Sequence, residues 1–413
     1  MLMGSLYNFS ILLYSALMNF LSLFHPKAKL WVNGRKDLKN RIQESSLGKD
    51  PAILIHCSSL GEFEQGRPLL EKIKKIYPSY KIILSFFSPS GFEIEKNNKL
   101  ADLVIYLPID TKSKVKFFVE SFNIKKAFFI KYEYWPNLFS ALKEKNCSIY
   151  MVSAIFRADQ YFFKSKANWY RNHTLKLVDH FFVQNEQSAI ILKNHKFENY
   201  SVTGDTRFDR VSELSQSTFS NNALESFIKT PKKILIAGSS WLEDEKIIIE
   251  FLKKNSEDWK LILAPHEIHE NHLKQIESLT QNLHTIRFSK AQKNELSNIQ
   301  ILIIDNIGLL KYLYRYADLC YIGGGFGAGI HNTLEAVTYA KPVIFGPKYH
   351  KFEEAKQLIQ IGAGRSIENL QELESAIKEF MEPENYSLTS KKAAHFIHQH
   401  KGATDKILDK TLQ

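Results

Sequence analysis

Residues Leu319 to Pro347 read LCYIGGGFGAGIHNTLEAVTYAKPVIFGP. Leu319 to Ile322 is an apolar run of the buried-strand type. Gly323, Gly324, Gly325, Gly327 and Gly329 follow it. Asn332 to Tyr339 then carries a helical pattern, and Pro342 to Phe345 reads as the next strand. Strand, glycine turn, helix, strand is a βαβ unit, which places its two strands in parallel. Such a turn aims backbone N–H groups and a helix N-terminus beyond the sheet edge, an arrangement suited to a phosphate. Glycine is needed where a Cβ would block an anion or force strain at φ > 0. Neither G-x-G-x-x-G nor a Walker A loop occurs. Glu335 falls one turn into the helix, within reach of a ribose diol. The plainer alternative is a first-turn acid that complements the helix dipole. Asn332, Glu335 and the KPVIFGP strand together favour a nucleotide-sugar site.

The same alternation runs through the rest of the chain. Strand-like runs are Ile53–Ser58, Lys81–Phe87, Leu103–Leu107, Ala127–Lys131, Ser148–Ser153 and His180–Val183. After the polar stretch Ser212 to Thr230 they resume with Ile234–Gly238, Lys260–Ala264 and Ile301–Asp305. Helical patterns such as Gln65–Ile76, Lys112–Phe122, Glu243–Lys254, His269–Leu279 and Gly308–Tyr316 fall between them. Two series of βαβ units predict an α/β protein with two doubly wound parallel sheets. Each such sheet offers a ligand crevice at the C-terminal ends of its strands. From Asn369 onward the chain reads as a polar, helix-rich tail.

A chain of 413 residues has room for two cores of this kind. The formal net charge of +11 fits nucleic acid, an anionic membrane surface or an acidic substrate. No helix-turn-helix, zinc-finger or RRM signature is present, which excludes nucleic acid as the partner. Cys57, Cys147 and Cys320 are scattered in apolar runs, without disulfide or zinc spacing. Leu6 to Phe24 is apolar with polar interruptions, near the roughly 20 residues that span a bilayer. Lys27, Lys29, Arg35 and Lys36 follow it and would hold the body on the cytoplasmic side. This predicts a membrane-associated N-terminal helix, either spanning or interfacial. The alternative is an amphipathic helix packed on the protein itself.

Chemistry is expected where strands end. His56 to Glu62 reads HCSSLGE, with Ser58, Ser59 and Gly61 in a turn and Glu62 opening a helix. A carboxylate there can take a proton from an attacking hydroxyl. Lys131 to Asn137 reads KYEYWPN, in which Glu133 is placed to position a sugar hydroxyl or the base. Arg157 and Arg207, on loops after strands, suit phosphate or carboxylate recognition. Ser239 and Ser240 open a further strand–turn–helix start, and Pro265 and His266 end the next strand. His266 and His269 have no third ligand at metal-like spacing, and no D-x-D pair occurs, so no metal is expected.

SSLGE, EYWPN, GDTRFD, AGSS, APHE and GGGFGAGIHNTLEA with KPVIFGP, in this order behind an N-terminal anchor, resemble the Kdo transferases. These enzymes move 3-deoxy-D-manno-octulosonic acid (Kdo) from CMP-Kdo to lipid A precursors in lipopolysaccharide assembly. The resemblance covers nearly the whole chain. It implies a GT-B fold with two Rossmann-like domains facing across a cleft, inversion at the anomeric carbon, no metal and no cofactor. It implies an anchor over residues 1–26, an acceptor domain over 27–211 and a CMP-Kdo domain over 212–413, whose tail packs back on the acceptor domain. It makes Glu62 the general base. It puts Asn332 and Glu335 on CMP, with Ser239, Ser240, Pro265, His266 and the five glycines in the donor site. Ser58, Ser59, Gly61, Glu133, Arg157 and Arg207 then position the acceptor. It also implies inner-membrane lipids as a partner and a catalytic body on the cytoplasmic face. The family usually shows Ala-Pro-Arg where this chain has Ala264-Pro265-His266, and a neutral His holds an anion less well than Arg. The rival readings are another GT-B enzyme using a UDP-sugar, transferase or epimerase, and a membrane-bound binding protein that keeps a degenerate nucleotide fold.

Overall fold

The computed structural model describes residues 2–45, 47–164, 167–291 and 296–411. These fall into two compact units. The first runs to Arg210 and takes in the chain again from Lys401; the second runs from Val211 to His400. The division therefore lies inside the helix Arg207–Gln216. The polar stretch Ser212 to Thr230 holds the end of that helix and all of the helix Asn222–Ile228.

The strands of the first unit are β1 (Pro51–Cys57), β2 (Lys81–Phe86), β3 (Leu103–Tyr106), β4 (Asn123–Ile130), β5 (Ser148–Ala154), β6 (His180–Val183) and β7 (Tyr200–Val202). They form one sheet in the order β3-β2-β1-β4-β5-β6-β7, every pair parallel. Both faces are covered, as an all-parallel sheet requires. Ala52 and Leu54 point into one core, and Ile53, Ile55 and Cys57 into the other. The order reverses between β1 and β4, so the crevice opens at the ends of those two strands.

The second unit repeats the plan. Its strands are β8 (Lys233–Ser240), β9 (Trp259–Pro265), β10 (Thr285–Arg287), β11 (Ile301–Ile303), β12 (Leu319–Ile322), β13 (Val343–Phe345) and β14 (Gly364–Ser366). Their order is β10-β11-β9-β8-β12-β13-β14, again parallel throughout, with the reversal between β8 and β12. The architecture is thus the α/β, GT-B-like pair of sheets. β10 and β14 carry no apolar run, because each is a three-residue edge strand. The tail is not peripheral. The helix Leu370–Met381 buries Leu370, Leu373, Ile377 and Phe380 in the second core. The last helix, Ala403–Thr411, belongs to the first unit, where Ile407 and Leu408 join the core beneath β1. Asp209 caps it, accepting hydrogen bonds from the Gly402 and Thr404 amides and the Thr404 hydroxyl.

The N-terminal segment forms the helix Leu2–Leu21, a turn, and the helix Pro26–Lys36, bent by 119°. No single helix among the described residues is long and apolar enough to cross a membrane, although the bent pair passes by length and composition. One face of the first helix docks on the unit: Tyr7 donates to Asp110 at 2.7 Å and Asn137 donates to Asn8 at 2.9 Å. The other face leaves Leu6, Phe9, Leu12, Leu13, Leu17 and Phe20 exposed. The helix thus packs on the protein, as the second alternative expects, and still presents an apolar face. Arg35 departs from the expectation of a headgroup cation. Its guanidinium lies 4.0 Å from the Trp31 ring centroid and donates to the carbonyls of Trp31, Phe87 and Leu107. Gly34 permits this docking, since a Cβ there would stand 2.0 Å from the Tyr106 ring.

Candidate active site

At the first switch point, Ser58 and Ser59 leave β1 and the helix Leu60–Ile76 begins. Glu62 lies in its first turn, half-buried, and the Ser59 hydroxyl donates to its carboxylate. Gly61 is not in a tight turn. It is a helical residue without positive φ, and a Cβ there would meet only Ser59 Oγ at 3.7 Å. From the neighbouring strand, Lys131 turns the chain at φ 63° and delivers Glu133. Positive φ in a non-glycine residue stores strain and recurs at functional strand ends. Ser153 (φ 51°) near the end of β5 and Ser239 (φ 54°) near the end of β8 share it.

Glu133 is held from two sides. His56 Nε2 lies 3.1 Å from Glu133 Oε2, and the Trp135 indole N–H donates to the same oxygen at 3.0 Å. The carboxylate can only accept, so Nε2 carries the proton. His56 Nδ1 lies 2.9 Å from the Ser85 hydroxyl and 3.2 Å from the Ser85 carbonyl, so both nitrogens of the wholly buried ring have partners. The two carboxylates thus differ. Glu133 has one oxygen committed to a built network, whereas the partner of Glu62 is a nearby serine. The loop after β7 returns to the same helix: Gln65 donates to Asp205 at 2.9 Å and Thr206 donates to the Gln65 carbonyl at 2.7 Å. Burial alone would raise Asp205, but the Arg207 guanidinium at 2.8 Å and the surrounding donors hold it below the usual carboxylate range. Arg207 is therefore charge-paired, and Arg157 is exposed beside Asp159 at 3.8 Å.

At the second switch point the site is made of backbone. A Cβ on Gly323 would lie 2.3 Å from the Ser239 carbonyl oxygen, and one on Gly325 would lie 2.5 Å from the Gly346 Cα. These two glycines allow β8, β12 and β13 to converge. Gly324 (φ 92°) and Gly329 (φ 138°) need the left-handed region, whereas Gly327 has ordinary space around it. The loop satisfies most of its own amides: Gly323 donates to Gly238, Gly324 to Asp244, and Gly327 and Gly329 to the Gly324 carbonyl. The amides of Gly325, Phe326 and Ala328 have no such partner among the described residues. The helix expected over Asn332 to Tyr339 is a single turn, Leu334–Val337. Ala340 at φ 58° ends the segment, and so short a helix supplies little dipole. Glu335, half-buried, accepts from the Asn332 side chain at 3.3 Å, so the two residues do meet.

Buried carboxylates brace this loop. Asp244 accepts from the Trp241 and Gly324 amides and from the Tyr321 hydroxyl. Ser240 is wholly buried and donates to Glu245, which faces His272 at 2.9 Å on its other oxygen. Ser240 is therefore a strut of the loop rather than a group turned to a ligand. Burial holds both Asp244 and Glu245 above the usual carboxylate range, although the hydrogen bonds that each accepts, and His272 beside Glu245, pull the other way. His266 follows Pro265 and donates its amide to the Ser240 carbonyl at 2.9 Å. Its ring stacks on Trp241 (4.9 Å between centroids) and on His331 (4.3 Å), and the Trp241 indole donates to His331 Nε2 at 3.2 Å. Burial and the neighbouring His266 hold His331 down to about 4. Burial lowers His266 as well. The sequence pattern marked neither His56 with its partner Ser85 nor His331. Their only signal was a polar residue beside a strand-end motif.

Against known proteins, a family model described as 3-deoxy-D-manno-octulosonic-acid transferase (kdotransferase) matches residues 35–210. A 3-deoxy-D-manno-octulosonic acid transferase of Rickettsia bellii is 26% identical over 407 residues, covering 92% of each chain. The family-model match and this relative support the Kdo transferase family for this chain. It is accordingly a glycosyltransferase. A bifunctional glycosyltransferase/methyltransferase of Fusobacterium nucleatum is 29% identical over 87% of this chain, which spans 57% of that relative's length. Among solved structures, UDP-GlcNAc 2-epimerase from Neisseria meningitidis bound to UDP-GlcNAc superposes with a TM-score of 0.61. It is 16% identical and covers 88% of this chain and 99% of its own. At that identity the likeness concerns the fold.

Proposed function

We propose that this Kdo transferase moves Kdo from CMP-Kdo to the lipid A precursor lipid IVA, with inversion and without a metal or cofactor. The observation that carries the reading is Glu62 at the β1/β4 switch point, in the first turn of a helix, in a chain of this family. Its carboxylate removes the proton from the acceptor sugar's hydroxyl as that oxygen attacks the anomeric carbon of Kdo. The bond between the anomeric carbon and the phosphate oxygen breaks on the opposite side, and CMP departs as an anion that needs no strong acid. The amides of Gly325, Phe326 and Ala328 meet the charge growing on that phosphate. Asn332 and Glu335 take the ribose. His56 and Trp135 orient Glu133 toward the acceptor sugar. Among the described residues no group of three His, Cys, Asp or Glu side chains is placed to hold a metal ion.

The reading also places the enzyme on the cytoplasmic face of the inner membrane. The exposed face of Leu2–Leu21 would lie in the interface, with Lys27, Lys29 and Lys36 toward anionic headgroups. The deciding experiment incubates purified protein with CMP-Kdo and lipid IVA, with and without EDTA, and follows CMP release and the mass of the lipid. Addition of Kdo under both conditions is expected. Transfer or epimerisation with a UDP-sugar and none with CMP-Kdo would overturn the donor, and full loss in EDTA would overturn the metal-free step.

A further inference from the structure

The first unit carries an apolar groove of about 750 Å³ that the reaction as described does not use. That volume lies in the range of small-molecule sites, about 300–1,000 Å³. Tyr14, Met18, Trp31, Leu60, Phe87 and Ile94 form its walls, and His25, Lys27, Ser88 and Ser90 its polar rim. Glu93 also lines it, with its carboxylate neutralised by Lys96 at 2.8 Å. Two features say what belongs there. One wall is the helix Leu2–Leu21, whose outer face exposes Leu6, Phe9, Leu13 and Leu17, so apolar surface continues around the helix into the groove. The other end touches the catalytic turn. Leu60 stands two residues before Glu62, and the Ser88 amide donates to the Ser58 carbonyl at 2.7 Å.

We propose that this groove seats one acyl chain of the acceptor lipid, with a headgroup phosphate at Lys27 and the sugar presented to Glu62. The proposal rests on the acceptor being a phosphorylated lipid. The N-terminal helix pair is then part of the acceptor site and not only a means of attachment. A chain entering along the helix never leaves an apolar surface, while the exposed lysine at the rim matches the anionic head. Selectivity follows from this: an acylated acceptor is held by both sugar and chain, and a deacylated one by its sugar alone.

Ile94→Glu places a charge in the groove at a position already 58% exposed, so folding is expected to be retained. Leu13→Glu places the same charge on the outer face of the helix, at 60% exposure. In detergent, Ile94→Glu should raise KM for the acylated acceptor at least tenfold. It should leave kcat and KM for the deacylated acceptor and for CMP-Kdo unchanged. Leu13→Glu, outside the groove lining, should reduce sedimentation with anionic vesicles and raise KM for the acylated acceptor far less than Ile94→Glu does. Separately, dodecyl phosphate brominated along its chain, kept below its micelle-forming concentration, should quench tryptophan fluorescence saturably through Trp31, and Ile94→Glu should weaken that binding at least tenfold. Equal effects of Ile94→Glu on both acceptors, or quenching that Ile94→Glu leaves intact, would overturn the groove. A wild-type protein that transfers to neither acceptor yet shows the quenching and its loss would overturn the reaction and keep the lipid site.

Discussion

The two sheets have the same topology and end in opposite materials. The crest of the first is built from side chains: Ser59 with Glu62, His56 and Trp135 on Glu133, Gln65 and Arg207 on Asp205. The crest of the second is built from the absence of side chains, at Gly323 and Gly325, with buried carboxylates behind the loop. Charge is treated differently as well. Asp205 is paired with a cation and held below the ordinary carboxylate range, whereas burial holds Asp244 and Glu245 above it. In the proposed reaction the first crest moves a proton. The other is equipped to let an anion approach backbone.

The sharpest way to break this division is Glu62→Gln. Loss of a general base costs about 10²–10⁴ in turnover. CMP binding by calorimetry and the melting temperature should hardly change, because the side chain is half-buried and bonded only locally. Turnover near the wild-type value would remove the proton-transfer role from the first crest.

Next in size is a pair of glycine substitutions in the second crest. Gly323→Ala drives a methyl into the Ser239 carbonyl, which is backbone and cannot swing away. Overpacking of this kind costs about 1–3 kcal/mol. Gly327→Ala should be close to neutral, since its Cβ would meet only the Gly324 carbonyl oxygen at 3.6 Å. Urea denaturation of both variants tests this, and equal destabilisation would show that the loop does not work through close approach.

Much of this was legible in the sequence, for reasons that differ by residue. The buried central strands announce themselves as apolar runs, whereas Glu62 is singled out by the S-x-G-E motif and the family resemblance, since a first-turn Glu alone reads as a partner of the helix dipole. β10 and β14 were missed because three-residue edge strands such as Thr285–Arg287 and Gly364–Ser366 have no face to bury. The pairing of His56 with Glu133 spans 77 residues, and no local pattern encodes it. Arg35 read as a headgroup cation because a sequence does not show that Trp31, Phe87 and Tyr106 will enclose a guanidinium. The helix dipole expected after the glycines failed because Ala340 closes the helix within one turn.

A smaller effect probes the carboxylates of the first unit away from the proton step. Asp209→Ala removes the cap of the helix Ala403–Thr411 and leaves the Gly402 and Thr404 amides without their acceptor. N-cap loss costs about 0.5–2 kcal/mol. Hydrogen exchange should rise across Ala403–Thr411, while Lys72 with Asp405 and the burial of Ile407 and Leu408 keep the helix docked. Unchanged exchange there would show that the apolar contacts alone hold the tail.

The smallest effect concerns pH in the second crest. His331 sits at about 4 in the folded chain, against about 6.5 for a free imidazole. A depressed value means that folding favours the neutral ring, so its contribution is fully present above pH 6.5 and is lost as pH falls through about 4. The geometry agrees, because the Trp241 indole donates to His331 Nε2 and a protonated ring would oppose it. Asp244 and Glu245 pull the other way. Their raised values make the protonated forms the better folded ones, a contribution lost as pH rises above the ordinary carboxylate range. His331→Asn separates the two. Between pH 6.5 and 4 the wild-type glycine loop should lose hydrogen-exchange protection at Gly323, Gly324 and Gly327, and the variant should lose less. His331 is partly exposed and solvent screens its charge, so the difference in slope should be modest. Parallel slopes would mean that the stack of Trp241, His266 and His331 does not couple to the loop, and that the second crest stands on its glycines and carboxylates alone.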